Sequence, residues 1–158
     1  MARNITSAFN TAISAQNVVP FFAVSLAFNT GTLYLWNGYG DISLTAGGST
    51  NTYTGLGDAA GVSPVDEQSL IQASGANLVL NGVKSSLIST ALSSQYTNRD
   101  GKIFLGLFNT SKAVVADVYT LFIGKMDVMI IRETGETSTI ELKLENRLIS
   151  LERPNDRR

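Results

Sequence analysis

Strict alternation of polar and apolar residues near the C-terminus constrains this fold more than any other feature of the sequence. The alternating residues are Thr139, Ile140, Glu141, Leu142, Lys143, Leu144 and Glu145. Residues at positions i, i+2 and i+4 share a face only in a β-strand. The pattern therefore predicts a strand that is buried on its apolar face and exposed on its charged face.

A more apolar run just before this strand extends the pattern to a predicted β-hairpin over residues 122–151. The run contains Met129 and Ile131, and the turn Glu133-Thr134-Gly135-Glu136 separates it from the alternating strand. Such a run is typical of a strand near the middle of a sheet. We predict a hairpin core that consists of Val128, Ile130, Ile140, Leu142 and Leu144.

The rest of the chain predicts a single mainly β domain over residues 1–158. Short helices are expected over residues 4–16 and 84–96, and strands over residues 21–28, 32–36, 42–44, 52–54, 65–73, 76–83 and 102–108. The chain is long enough to bury a sizeable core. We predict an α+β, mainly β class: an antiparallel β-barrel or sandwich with an N-terminal helix and one internal helix. Residues 152–158 are polar, and we expect this tail to continue into a longer protein or to contact a neighbour.

Charge is concentrated in the C-terminal part of the chain. Residues 1–98 contain six charged residues, and residues 99–158 contain the other nineteen. A soluble monomer usually distributes charge over its whole surface. We interpret the charge-poor part as surface for contacts with other protein, against the alternative of a polar, uncharged β-domain. The net charge of −1 provides no basic surplus for binding nucleic acid.

The composition argues against catalysis. The chain contains neither Cys nor His, which excludes thiolate ligands, disulfides and the commonest general base. Asp66 and Glu67 are adjacent, but adjacent residues of a strand point to opposite faces and do not easily share a proton. Gly55 and Gly57 resemble part of a phosphate-binding loop without the helix that should follow it, so tight turns are the better interpretation. We predict no enzyme activity, no catalytic residue, and no metal or cofactor site.

Four aromatic residues cluster in the sequence, and three interpretations of them stay open. Tyr34, Trp36, Tyr39 and Tyr53 are candidates for a β-core, for subunit contacts, or for a platform that stacks on sugar rings. The sugar platform would make the protein a carbohydrate-binding or adhesin module of the β-sandwich type, which is the alternative function. Such a module should expose these aromatics, whereas a subunit of an assembly should bury them.

Seven short motifs occur in an order and spacing that are more specific than any one motif alone. They are PFF at 20–22 after the helix, GTLYLWNGYG at 31–40, YTGLGD at 53–58, VSPV at 62–65, GKMD at 124–127, ENRL at 145–148 and LERP at 151–154. Together they resemble the phage tail baseplate hub, or tail tip, proteins of siphophages and gene transfer agents.

The resemblance implies a structural function. Such hubs close the distal end of the tail tube with β-barrel domains similar to tube subunits. They form a ring around a channel, link the tube to tip proteins and let DNA pass. Longer members carry a further C-terminal part whose cysteines bind an iron–sulfur cluster, but this chain has no Cys and no cofactor is expected.

The resemblance also implies partners and a location. The expected location is the tail tip or baseplate of a virion made in the host cytoplasm. The expected partners are other copies of the chain, as a trimer or a hexamer, together with the distal tail protein, other baseplate or tail tip proteins, the tape measure protein and phage DNA in transit. Glu141, Lys143 and Glu145 become candidates for the channel-facing side. No apolar stretch approaches the roughly 20 residues that span a bilayer.

Overall fold

The computed structural model describes most of the chain, namely residues 5–15, 17–57, 60–62, 75–81, 89, 93–109, 111, 113–114, 118–133 and 138–146. The elements in chain order are α1 (Ser7–Ile13), β1 (Val19–Phe28), β2 (Gly31–Trp36), β3 (Asp41–Ala46), β4 (Ser49–Gly55), β5 (Ala60–Val62), β6 (Gly75–Asn81), β7 (Asp100–Phe108), β8 (Tyr119–Glu133) and β9 (Ser138–Asn146). The predicted strand over residues 65–73 lies outside the described residues. So does the predicted internal helix, apart from its C-terminal residues and Ser89.

The strands form one nine-stranded sheet in the order β3-β4-β2-β1-β7-β8-β9-β6-β5. Neighbouring strands are antiparallel except β2 and β4, whose short pairing is parallel, so the sheet is mixed and not purely antiparallel as predicted. Within the described part of the chain the end strands β3 and β5 do not pair with each other, so the sheet does not close into a barrel. The predicted α+β, mainly β sandwich class is confirmed.

Helix α1 is shorter than the predicted range of 4–16 because both of its ends are capped. The Thr6 hydroxyl accepts a hydrogen bond from the Phe9 amide at 3.3 Å, which satisfies one donor of the first turn. Ser14 ends the helix. Phe9 is the buried residue of α1, and its ring lies 6.2 Å from that of Tyr119. A two-turn helix is unstable alone, so this docking holds it in place.

The middle of the sheet is buried on both faces. Ile103 and Phe104 are adjacent on β7, and their side chains enter two different core clusters on opposite sides of the sheet. The first cluster joins β1, β2, β6, β7, β8 and β9, and the second joins β1, β2, β3, β4 and β7. The strands that contribute to both clusters carry long apolar runs, as expected for strands covered on two sides.

The β8–β9 hairpin matches the alternation of the sequence on β9 but not on β8. Ile140, Leu142 and Leu144 are buried in the first core cluster. Val128 and Ile130, which we predicted to lie with them, are instead 49% and 45% exposed. The cause is a β-bulge between Met126 and Met129 that shifts the register and turns Met129 and Ile131 towards the core.

The β3–β4 hairpin packs over one face of β1, β2 and β7. Its tight turn uses Gly47 and Gly48, whose φ angles of +61° and +82° favour glycine. Strand β4 pairs with β2 only at its last two residues, so the rest of the hairpin crosses the sheet instead of continuing it. Leu44 and Tyr53 of this hairpin are buried in the second core cluster.

Candidate interaction surface

The charged row predicted from the sequence lies on the outer face of β9. Glu141, Lys143 and Glu145 point away from the core, because the residues between them are buried. The Lys143 ammonium lies 3.1 Å from Glu145 Oε1 and 3.6 Å from Asp127 Oδ2. The hydrogen bond to Glu145 is the main cause that raises the pKa of Lys143. Whether this row faces a channel stays a prediction.

The charges of this face neutralise one another. Six charged side chains are described on β8 and β9, and they comprise Lys125, Asp127, Arg132, Glu141, Lys143 and Glu145. Arg132 contacts Glu141 at 3.5 Å, and Lys125 contacts Asp100 of β7 at 2.9 Å. With the two contacts of Lys143, all six belong to an ion pair. Exposed pairs contribute little to stability, so their main effect is a surface without excess charge.

An apolar strip runs through this charged surface. It consists of Val79 of β6 and Val128 and Ile130 of β8, and Glu141 of β9 lies between Val79 and Ile130 in the strand register. The strip lines a shallow groove of about 400 Å³. Sequence reasoning missed this surface because no local signal marks the bulge that turns Val128 and Ile130 outward.

The four clustered aromatics do not form a common surface. Trp36 is 8% exposed and Tyr53 is 1% exposed, both inside the second core cluster, whereas Tyr39 is 77% exposed. Tyr34 is half-buried, with its ring 5.1 Å from that of Tyr53. Of the three interpretations, the β-core therefore holds for Trp36 and Tyr53, and Tyr34 and Tyr39 remain the candidates for subunit contacts. The same burial removes the shared platform that sugar stacking requires.

The buried aromatics have structural partners instead. The Trp36 indole N–H donates to the Gly40 carbonyl at 2.9 Å, and its ring packs edge-on against Phe21 with centroids 5.8 Å apart. Burial, with a smaller effect of Tyr34, raises the pKa of Tyr53 to about 12. The hydroxyl of Tyr53 thus stays protonated at neutral pH, as a structural tyrosine should.

The remaining chemical candidates give no reactive site within the part of the chain that the structure describes. The Gly55 and Gly57 amides donate to the Gly40 and Gly38 carbonyls at 2.8 Å, so they serve the local turn and not a phosphate. Asp66 and Glu67 lie outside the described residues. Across the described ranges, no group of three or more carboxylates is placed to hold a metal ion. Among the same residues, no helix has the length and apolar character that crossing a membrane requires.

Comparison with known proteins identifies the fold. No family model and no curated protein matches the sequence. Eight chains of solved structures match. One belongs to the "Virion of native gene transfer agent (GTA) particle", with a TM-score of 0.64 and 16% identity over 97% of this chain. This chain shares the fold of that virion protein.

The chain spans about half of the virion protein, 49% of its length. A second match, to a chain of the "Structure of Francisella PdpA-VgrG Complex, Lidded", has a TM-score of 0.38 and 11% identity over 86% of this chain and 17% of that one. At 16% identity the virion match establishes the fold alone.

Proposed function

We propose that this protein is a structural subunit of the tail of a phage or a gene transfer agent particle. The observation that carries this proposal is the fold, which matches a virion protein along almost the whole chain. The absence of Cys and His from the sequence is in keeping with a function that involves assembly and no catalysis. We therefore propose no enzyme activity for it.

Within the tail, the proposed position is the baseplate or tail tip, as a hub that forms a ring at the distal end of the tube. The ring would link the tube to tip proteins and let DNA pass. The seven motifs of the sequence support this position, and the charge-poor strands β1 to β4, with Asp41 as their one charged residue, support contacts with other protein subunits.

The proposed partners follow from this position. They are two or five further copies of the chain, the distal tail protein and other tip proteins, and the tape measure protein. DNA passes through the channel without tight binding to the wall, since the chain has no basic surplus to contact its phosphates. The aromatic platform of a carbohydrate-binding module has no support, because Trp36 and Tyr53 are buried.

The test is to locate the chain in particles. An epitope-tagged copy is expressed in cells that produce the particles, which are purified by density gradient and labelled with gold-conjugated antibody. We expect gold at the distal end of tails in electron micrographs. Gold along the tail would retain the structural role but overturn the hub position. Particles without the tagged chain, although untagged tail proteins are present, would overturn the proposed function.

A further inference from the structure

The apolar strip of Val79, Val128 and Ile130 is a surface that a partner is expected to cover. Val128 and Ile130 expose nearly half of their surface on strands that are otherwise well packed. Exposed aliphatic side chains are ordinary when single, but here they line one groove of about 400 Å³ with the stems of Glu141 and Lys143. A wall that faces a water-filled channel gains nothing from such a groove.

The charged side chains around the strip indicate whether the partner surface should carry charge. Among the charged side chains that the structure describes on β8 and β9, all three cations and all three anions pair with each other or with Asp100 of β7. A charged partner surface would meet no free counter-charge among these described side chains, so no ion pair would offset the desolvation of its charge. The strip therefore fits a partner surface that carries no charge and is flat enough to lie across strands.

The chain itself carries such a surface at the other end of the sheet. On the β3–β4 hairpin, Ser43 pairs with Thr52 and Thr45 pairs with Thr50, and all four are exposed on the side opposite Leu44 and Tyr53. We call these four residues the hydroxyl face. The Thr45 and Thr50 hydroxyls lie 2.8 Å apart and share one hydrogen bond, and the methyl groups of both residues remain for apolar contact. Asp41, the one charged residue of this hairpin, is exposed on the same side at the start of β3, so it borders the hydroxyl face without belonging to it.

We propose that the apolar strip of one copy docks on the hydroxyl face of the next copy. Because the two surfaces differ and belong to opposite ends of the strand order, the contact is heterologous, and repeated contacts close a ring or extend a filament. The proposal rests on the proposed function only in that it takes the chain to be a ring subunit. It assigns Glu141 and Lys143 to the subunit contact instead of the channel wall.

Cysteine cross-linking tests this contact directly, because the chain has no Cys of its own. Val128→Cys and Ser43→Cys copies are mixed and treated with a short bismaleimide. We expect cross-linked dimers in the mixture and none with either variant alone. Ile123→Cys is the matched control, since Ile123 is 42% exposed on the same strand but outside the groove, and it should not cross-link to Ser43→Cys.

Two results of this experiment would overturn the proposal. Dimers from Val128→Cys alone would mean that two apolar strips face each other. A maleimide labelling rate at Val128→Cys that does not fall as protein concentration rises would mean that no second copy covers the strip, or that a segment of the same chain does.

A charge substitution separates docking from folding. We expect Ile130→Asp to weaken self-association roughly tenfold or more, because it buries an unpaired carboxylate in the contact. Its thermal unfolding when dilute should stay close to that of the wild type, and Ile123→Asp should leave association unchanged. Equal association of Ile130→Asp and wild type would contradict the proposal.

The two proposals can fail separately. If gold labels the tail tip but the predicted cross-link does not form, only this contact is overturned. If the cross-link forms but gold does not label the particles, only the tail function is overturned.

Discussion

At the scale of single residues, position 55 requires glycine because neighbouring backbone atoms leave no room for a side chain, and not because of its φ angle. A Cβ atom at this position would overlap the carbonyl oxygens of Gly38 and Gly40, which cannot move without breaking the bonds that close the 38–57 turn. We expect Gly55→Ala to lower the free energy of unfolding by roughly 3 kcal/mol in urea titration. The control is Gly47→Ala, because a Cβ at Gly47 would meet no other atom. Its φ of +61° is unfavourable for alanine, so we expect this substitution to lower the free energy of unfolding by about 1 kcal/mol. Equal costs at the two positions would contradict the packing described for the turn.

Tyr53 makes stability depend on alkaline pH. Below pH 10 its hydroxyl is protonated in both the folded and the unfolded chain. Between pH 10 and about 12 the unfolded chain loses this proton while the folded chain keeps it, so the unfolded state is favoured. We expect this one group to lower the free energy of unfolding by roughly 2 kcal/mol across that window.

The measurement is urea unfolding at several pH values from 9 to 12, for wild type and for Tyr53→Phe. The difference between the two isolates Tyr53 from the other groups that titrate there. A wild-type slope in Tyr53→Phe would show that the tyrosine is not buried as described.

At the scale of elements, the bulge in β8 decides which side chains face the core. If the register is as described, Val128→Thr leaves the free energy of unfolding within about 0.5 kcal/mol of wild type, since threonine keeps the β-branch on an exposed strand face. The same substitution at Val24, which is 4% exposed on β1, should cost about 1–3 kcal/mol because it buries a hydroxyl. Urea titration of dilute protein compares them. If Val128→Thr lowers the free energy of unfolding as much as Val24→Thr does, Val128 is buried and β8 pairs with β9 without the bulge.

The sequence predicts where the strands lie better than it predicts how those strands pair and pack with one another. Local alternation is enough to find β9 and the burial of Ile140, Leu142 and Leu144, because each strand reports its own faces. The bulge beside Met126 depends on how β8 meets β9 and leaves no local mark. Likewise, the burial of Trp36 and Tyr53 follows from the β3–β4 hairpin packing over β1, β2 and β7, a contact between segments that no local pattern specifies.

At the scale of the whole molecule, charge is segregated along the sheet. The end that contains β3, β4, β2 and β1 carries Asp41 as its one charged residue, whereas the described charged side chains of β8 and β9 form ion pairs beside an apolar strip. One chain therefore presents two unlike surfaces that suit contact with protein. Two such surfaces on one chain support the proposal that identical subunits assemble with one another.

The proposed function requires that this chain assembles with its own copies into a ring. Its most direct test is the mass of the purified chain by light scattering over a range of concentrations, with negative-stain images of the same sample, in the absence and in the presence of isolated tail tubes. We expect oligomers with three or six times the 16.9 kDa mass of one chain and an open centre. A 16.9 kDa monomer under every one of these conditions, tubes included, would contradict it.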